Sequence, residues 1–164
     1  MSGEESITVP ESAIDLIADE ILVFGQQNVE TGGFVLAARE DSVVSKVALA
    51  GEAGIVRHRN LFQISERALD RLFTFADDHG MWIPAQFHSH RLAAFLSPTD
   101  KQHGLKVEGF TSVVVPTYAA PPRDITCWGW WRFEAGEWRD AELCRLVEGA
   151  VSVIRFDEDG ARGA

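Results

Sequence analysis

The apolar residues of this chain change period several times within a short length, and that constrains the fold more than any other feature. Ala13, Ile14, Ile17, Ala18 and Ile21 recur at helical spacing, with Pro10 able to open the helix and Gly25 to end it. Phe34-Val35-Leu36-Ala37 follows as a short buried strand, and Val43 to Leu49 reads as its hairpin partner across Glu40-Asp41. Helical spacing returns at Leu69, Leu72, Phe73 and Ala76, after Ser65 as cap and before Gly80 as stop. Trp82 to Phe87 is extended again, and Pro84 implies an edge strand or a bulge there. Ser97-Pro98 starts a short helix, Val113 to Val115 is a strand, and residues 116–124, with three prolines, form a loop. Ile125 to Phe133 reads as a strand; residues 140–149 are compatible with a helix, and Val151 to Phe156 alternates like a strand.

No regular strand–helix–strand rhythm emerges, so the expected class is α+β, a mixed and mostly antiparallel sheet flanked by helices. The 164 residues suffice for one domain with a core of its own. We expect that domain over 9–158, between a flexible N-terminus over 1–8 and a flexible tail over 159–164. Two cysteines, Cys127 and Cys144, suit a reducing cytosol better than a disulfide framework. Neither a signal peptide nor a membrane-spanning apolar run is visible, and the expected location is cytoplasmic without membrane attachment. A net charge of −10 argues against a nucleic-acid partner, because phosphate recognition needs clustered lysine and arginine.

One constellation carries chemistry. His88-Ser89-His90 ends the strand begun at Trp82, and side chains two apart on a strand point the same way. Asp100, third residue of the turn capped by Ser97, can supply a third ligand. Three protein ligands leave one position of a tetrahedral zinc ion open, the mark of a catalytic site. Ser97 can donate its hydroxyl beside the metal, and Glu30 stands out as a base because Thr31-Gly32-Gly33 lets the backbone approach closely or take unusual dihedrals. Taken singly each motif has a plain structural explanation: two surface histidines, or a serine–acid helix start. The conjunction is the argument.

Together, Glu30-Thr31-Gly32-Gly33-Phe34, His88-Ser89-His90 and Ser97-Pro98-Thr99-Asp100 resemble the signature of the JAMM (MPN+ or JAB) zinc metalloproteases. The resemblance spans the first helix to about residue 135. It implies a single JAMM/MPN-like domain of cytidine deaminase-like architecture, with Zn2+ held by His88, His90 and Asp100. Glu30 would activate the zinc-bound water, and Ser97 would stabilise the oxyanion. It also implies hydrolysis of an isopeptide or peptide bond at the C-terminal tail of a ubiquitin-like or sulfur-carrier protein. A homodimer or a place in a larger assembly is compatible with it, and so is a non-catalytic scaffold role, which some family members fill. The chain departs from the pattern in two ways: Arg91 stands where the family usually has proline, and the stretch Arg91 to Leu96 is one residue short.

Other histidines and aromatics read as structural. His58 lies between two arginines in a loop, His79 ends a helix, and His103 follows Asp100 by three residues. The segment Trp128-Gly129-Trp130-Trp131 reads as core, with an aromatic wall beside the substrate groove as the alternative.

Overall fold

A computed structural model describes residues 6–163. Strand β1 (Thr8–Pro10) leads directly into helix α1 (Glu11–Gly25). Strands β2 (Gly32–Ala38) and β3 (Val44–Ala50) form the expected antiparallel hairpin. A small second hairpin follows, β4 (Ile55–His58) with β5 (Leu61–Ile64), and then α2 (Glu66–Asp78). Strand β6 (Met81–Ser89), the short helix α3 (Pro98–His103) and strand β7 (Thr111–Val115) carry the middle of the chain. The last third is strand: β8 (Gly129–Glu134), β9 (Glu137–Asp140), β10 (Arg145–Val147), β11 (Ser152–Asp157) and β12 (Gly160–Gly163).

Eight strands make one sheet in the order β12-β11-β3-β2-β6-β7-β8-β9. Two of its pairings, β3 with β11 and β6 with β7, are parallel, and the others are antiparallel. The class is therefore α+β with a mixed, mostly antiparallel sheet. Period-2 alternation sends Val35, Ala85, Phe87 and Val113 to the face covered by α1, where they meet Ile14, Ile17 and Ile21. Phe34, Leu36, Ala48 and Phe156 point to the other face and pack with Leu72 and Ala76 of α2. Phe73, expected within that apolar stripe, is 39% exposed. The Ser65 side chain accepts the Ala68 N–H at 3.2 Å and so caps α2.

Pro84 sits in a central strand, not at an edge. Between Val35 and Ala37 the β2–β6 register shifts, so that Ile83 and Pro84 together oppose Leu36. This bulge accommodates a residue with no N–H to give to a ladder.

Two expectations need correction. The stretch Ile125 to Phe133 is not one strand: the Asp124 carboxylate accepts the Thr126 N–H at 2.9 Å and hydroxyl at 2.7 Å. That fixes a 3-10 turn over Ile125–Cys127, and the strand starts only at Gly129. Residues 140–149 are not helical. Ala141 and Cys144 fold against the core, and Arg145–Val147 pair in parallel with β1, which satisfies their backbone. The tail expected from residue 159 contains β12, antiparallel to β11, and the N-terminal segment expected to be flexible contributes Thr8 to β1; Met1 to Glu5 lie outside the described residues. Among the described residues no helix is long and apolar enough to cross a membrane.

Candidate metal centre and groove

The structure brings together the histidine pair, Asp100 and Glu30, which lie far apart in sequence. His88 is the last β6 residue paired with β2, Ser89 ends the strand and His90 follows it, so both imidazoles leave the sheet on the α2 face. Their Nε2 atoms stand 3.2 Å apart. Asp100 Oδ1 lies 3.3 Å from His88 Nε2, and Asp100 Oδ2 lies 3.1 Å from His90 Nε2. Both imidazoles are buried.

The helix start aims the carboxylate. Ser97 and Asp100 form a capping box: Asp100 N–H donates to Ser97 Oγ at 3.0 Å, and Ser97 N–H donates to Asp100 Oδ2 at 2.9 Å. The capping and metal-ligand readings of Asp100 are thus not rivals, because one carboxylate closes the cap and faces both rings. Ser97 Oγ uses an acceptor site in the cap, which leaves its hydroxyl proton free to donate.

Glu30 reaches the centre through the start of β2. Gly32 pairs with His88 across the β2–β6 ladder, so the residues just before it end beside the histidines. A Cβ on Gly32 would stand 2.4 Å from Phe87 O, and one on Gly33 would stand 2.1 Å from Ala48 O. Neither glycine has a positive φ. Close approach, and not an unusual dihedral, is the reason for the pair. Glu30 N–H donates to His58 O at 2.8 Å, and Thr31 N–H donates to Ser89 Oγ at 2.9 Å, so the serine between the histidines ties the glutamate loop to β6.

Burial is the largest single influence on Glu30, Asp100 and His90, but it decides the outcome only at Glu30. It pushes the Glu30 carboxyl up to about 7, with the His90 charge opposing the rise and Asp100 reinforcing it. Burial would also raise Asp100, but hydrogen bonds from His88 and His90 and the Ser97 N–H outweigh it and hold the group well below the usual carboxylate range. For His90 burial disfavours the cation, yet the bond to Asp100 and the nearby carboxylates raise its pKa.

The donors fit a divalent ion of the zinc type. Glu30, His88 and His90 each offer a ligand atom within 4.8 Å of the others. His88, His90 and Asp100 lie closer, with separations of 3.1–3.3 Å. A tetrahedron of ligands about 2.0–2.1 Å from its ion has edges of about 3.3 Å. His90 Nδ1 lies 3.0 Å from Ala93 O. A carbonyl can only accept, so Nδ1 carries the proton, and the lone pair of neutral His90 is on Nε2, facing the centre.

A groove of about 840 Å³ opens beside these residues. Phe62 and Ile64 of β5 form one wall, Gln86 and Ser112 the floor, and α3 with Gly104 and Leu105 the other wall. No lysine or arginine lines it, and its titratable groups are Glu66, His88, Asp100 and His103. His103 is on the groove wall and outside the metal-type group. Trp128 and Trp130 stack at 6.3 Å in the α1-side core, so the aromatic wall they might have made is absent from the groove.

Several participants were not foreseen. Arg57 and His58, read as loop, belong to β4, and the Arg57 side chain is buried with its Nε–H donating to Thr31 Oγ1 at 3.0 Å. Phe95 packs edge-on to His90 at 4.8 Å and screens it. The alternation of Ile55-Val56 and Leu61 to Ile64 around a polar tetrad was the available signal for the hairpin. Nothing in the sequence marked Phe95.

No family model matches the chain, and no curated protein matches it. Solved structures do. A protein from Desulfitobacterium hafniense is 15% identical, with a TM-score of 0.64 over 88% of this chain and 94% of that one. A protein from Salinibacter ruber is 22% identical, with a TM-score of 0.56 over 85% and 91%. A JAB1/MPN domain protein from Archaeoglobus fulgidus is 15% identical, with a TM-score of 0.50 over 87% and 99%. At such identities the likeness concerns the fold, and that fold is MPN/JAB-like.

Proposed function

We propose that the chain is a zinc-dependent hydrolase that cleaves an isopeptide or peptide bond at the C-terminal tail of a ubiquitin-like or sulfur-carrier protein. The observation that carries this reading is the convergence of His88, His90 and Asp100 at tetrahedral edge distances, with a buried carboxylate, Glu30, beside them. His88 Nε2, His90 Nε2 and an Asp100 oxygen would hold the ion. Bound there, zinc supplies a Lewis acid that polarises a carbonyl and acidifies water.

The remaining work falls to the chain. Glu30, pushed up to about 7, can both accept and release a proton near neutral pH. Its carboxylate takes the proton of the attacking water and passes it to the leaving amine nitrogen as the C–N bond breaks. The free Ser97 hydroxyl donates to the carbonyl oxygen as negative charge gathers there. Phe95 and the buried position of the rings keep bulk solvent off His90. The groove, without a cationic lining, suits a slender uncharged tail drawn out as an extended chain. Free thiols at Cys127 and Cys144 suit a cytosolic setting.

The test is Glu30→Gln, assayed on ubiquitin-like and sulfur-carrier proteins fused through their C-terminal tails to a reporter. The variant should bind zinc as the parent does and lose hydrolysis by about 10²–10⁴-fold. Turnover retained by the variant, or a parent protein that takes up no zinc, overturns the reading; the second result favours a scaffold.

A further inference from the structure

We propose that Trp138 is a positioning residue for α3 and, through it, for the Asp100 carboxylate; this rests on reading Asp100 as a metal ligand. The helix that carries Asp100 has little else to hold it. None of its residues is buried, and from Arg91 to Gly109 the only buried residue is Leu96. The capping box lies within the helix start and cannot fasten it to the sheet. Among the described residues, the hydrogen bonds and ion pairs that leave α3 for the sheet run to His88, His90 and Trp138, and Leu105, just past the helix, packs on the α2-side core.

Trp138 is built for that task. It stands on β9, at the end of the eight-stranded sheet, and packs with the α2-side core. Phe133 meets its ring edge-on at 5.2 Å and fixes its plane. Its indole N–H points to Lys101 O at 3.4 Å, and its benzo edge covers Gly104, where a Cβ would stand 2.8 Å from Trp138 Cζ2. Gly104 N–H in turn donates to Asp100 O at 2.8 Å. The indole therefore pins the C-terminal end of a helix whose N-terminal end presents the ligand. Without that pin α3 can swing about its cap, and metal binding must then order it. The same helix is one wall of the groove, so the pin also sets the groove's width.

The experiment titrates Zn2+ against the full chain, Trp138→Ala and Trp138→Phe with a competing chromophoric chelator. Amide exchange along Thr99–Gly104 and along β6 is followed in chelator-treated protein. We expect zinc affinity to fall about tenfold or more in Trp138→Ala. Trp138→Phe, which keeps an aromatic face for Gly104 but no N–H, should lie between. Exchange in α3 should quicken while β6 stays protected, which also shows that the variant is folded; if the alanine variant does not fold, the phenylalanine variant carries the test. Zinc affinity equal to the parent's overturns the proposal. A parent that binds no zinc overturns the metal reading instead, and the exchange result alone then decides whether Trp138 holds α3.

Discussion

Ser89 lies between the two histidines with its side chain turned away from them, and it is fully buried. Its hydroxyl is the acceptor for the Thr31 N–H, while its own N–H donates to Thr31 O at 2.9 Å. Ser89→Ala strips the Thr31 amide of its partner in a place that water does not reach. We expect a loss of about 1–3 kcal/mol, measured by urea denaturation, the range for an orphaned buried donor. The sequence could single out His88, His90, Asp100 and Glu30 because a metal-type group needs side chains of certain types at certain spacings. It could not name Ser89's role, or Arg57's, since a hydroxyl or a guanidinium bonded to backbone leaves no spacing rule behind. The glycines after Glu30 were legible as a site of close approach, whereas the atoms they make room for, Phe87 O and Ala48 O, come from strands distant in sequence.

At the scale of elements, the β8–β9 hairpin turns on Ala135 and Gly136, with φ of 51° and 81°. Two residues with positive φ make the tight turn that matches strand twist, and asparagine followed by glycine is its preferred sequence. Alanine in this region carries a steric penalty of about 1–2 kcal/mol. Ala135→Asn should therefore raise the thermal midpoint, by calorimetry, without altering the fold; an unchanged or lower midpoint contradicts the assignment of strain. Helix α1, an apolar stripe opened by Pro10, and helix α2, a stripe capped by Ser65, could be read directly from the sequence, as could the β2–β3 hairpin. The 3-10 turn at Ile125 and the pairing of β10 with β1 could not. The first depends on one aspartate bonding two residues ahead, and the second on a partner strand more than a hundred residues away.

For the whole molecule, the C-terminal strands are structural members and not a tail. Asp157, at the end of β11, is buried and accepts from Glu52 N–H at 3.2 Å, Asp159 N–H at 2.9 Å and Arg162 Nη2 at 3.0 Å. Arg162 chiefly holds its carboxyl down, from 3.8 to about 2, with burial opposing and the two amides assisting. A pKa lowered on folding means that the charged form stabilises the fold above pH 3.8, and that this contribution drains away as the pH falls toward 2. Asp157→Asn should thus lower the thermal midpoint at neutral pH, with the gap to the parent closing between those two values; a constant gap would show that the charge is not the source. A string such as Glu158 to Gly163 reads as a tail because its hold is chiefly backbone pairing, one ion pair, a hydrogen bond from Ser65 to Glu158 and the single apolar contact of Ala161. The bulge at Ile83-Pro84 has a further consequence, for insertions and deletions. It sets the phase of β6, and one residue gained or lost between it and His88 would turn both imidazoles to the α1 face. The stretch from Arg91 to Leu96 lies outside every ladder and buries a single side chain. A lineage of such chains can therefore lengthen or shorten that stretch while the count before His90 stays frozen.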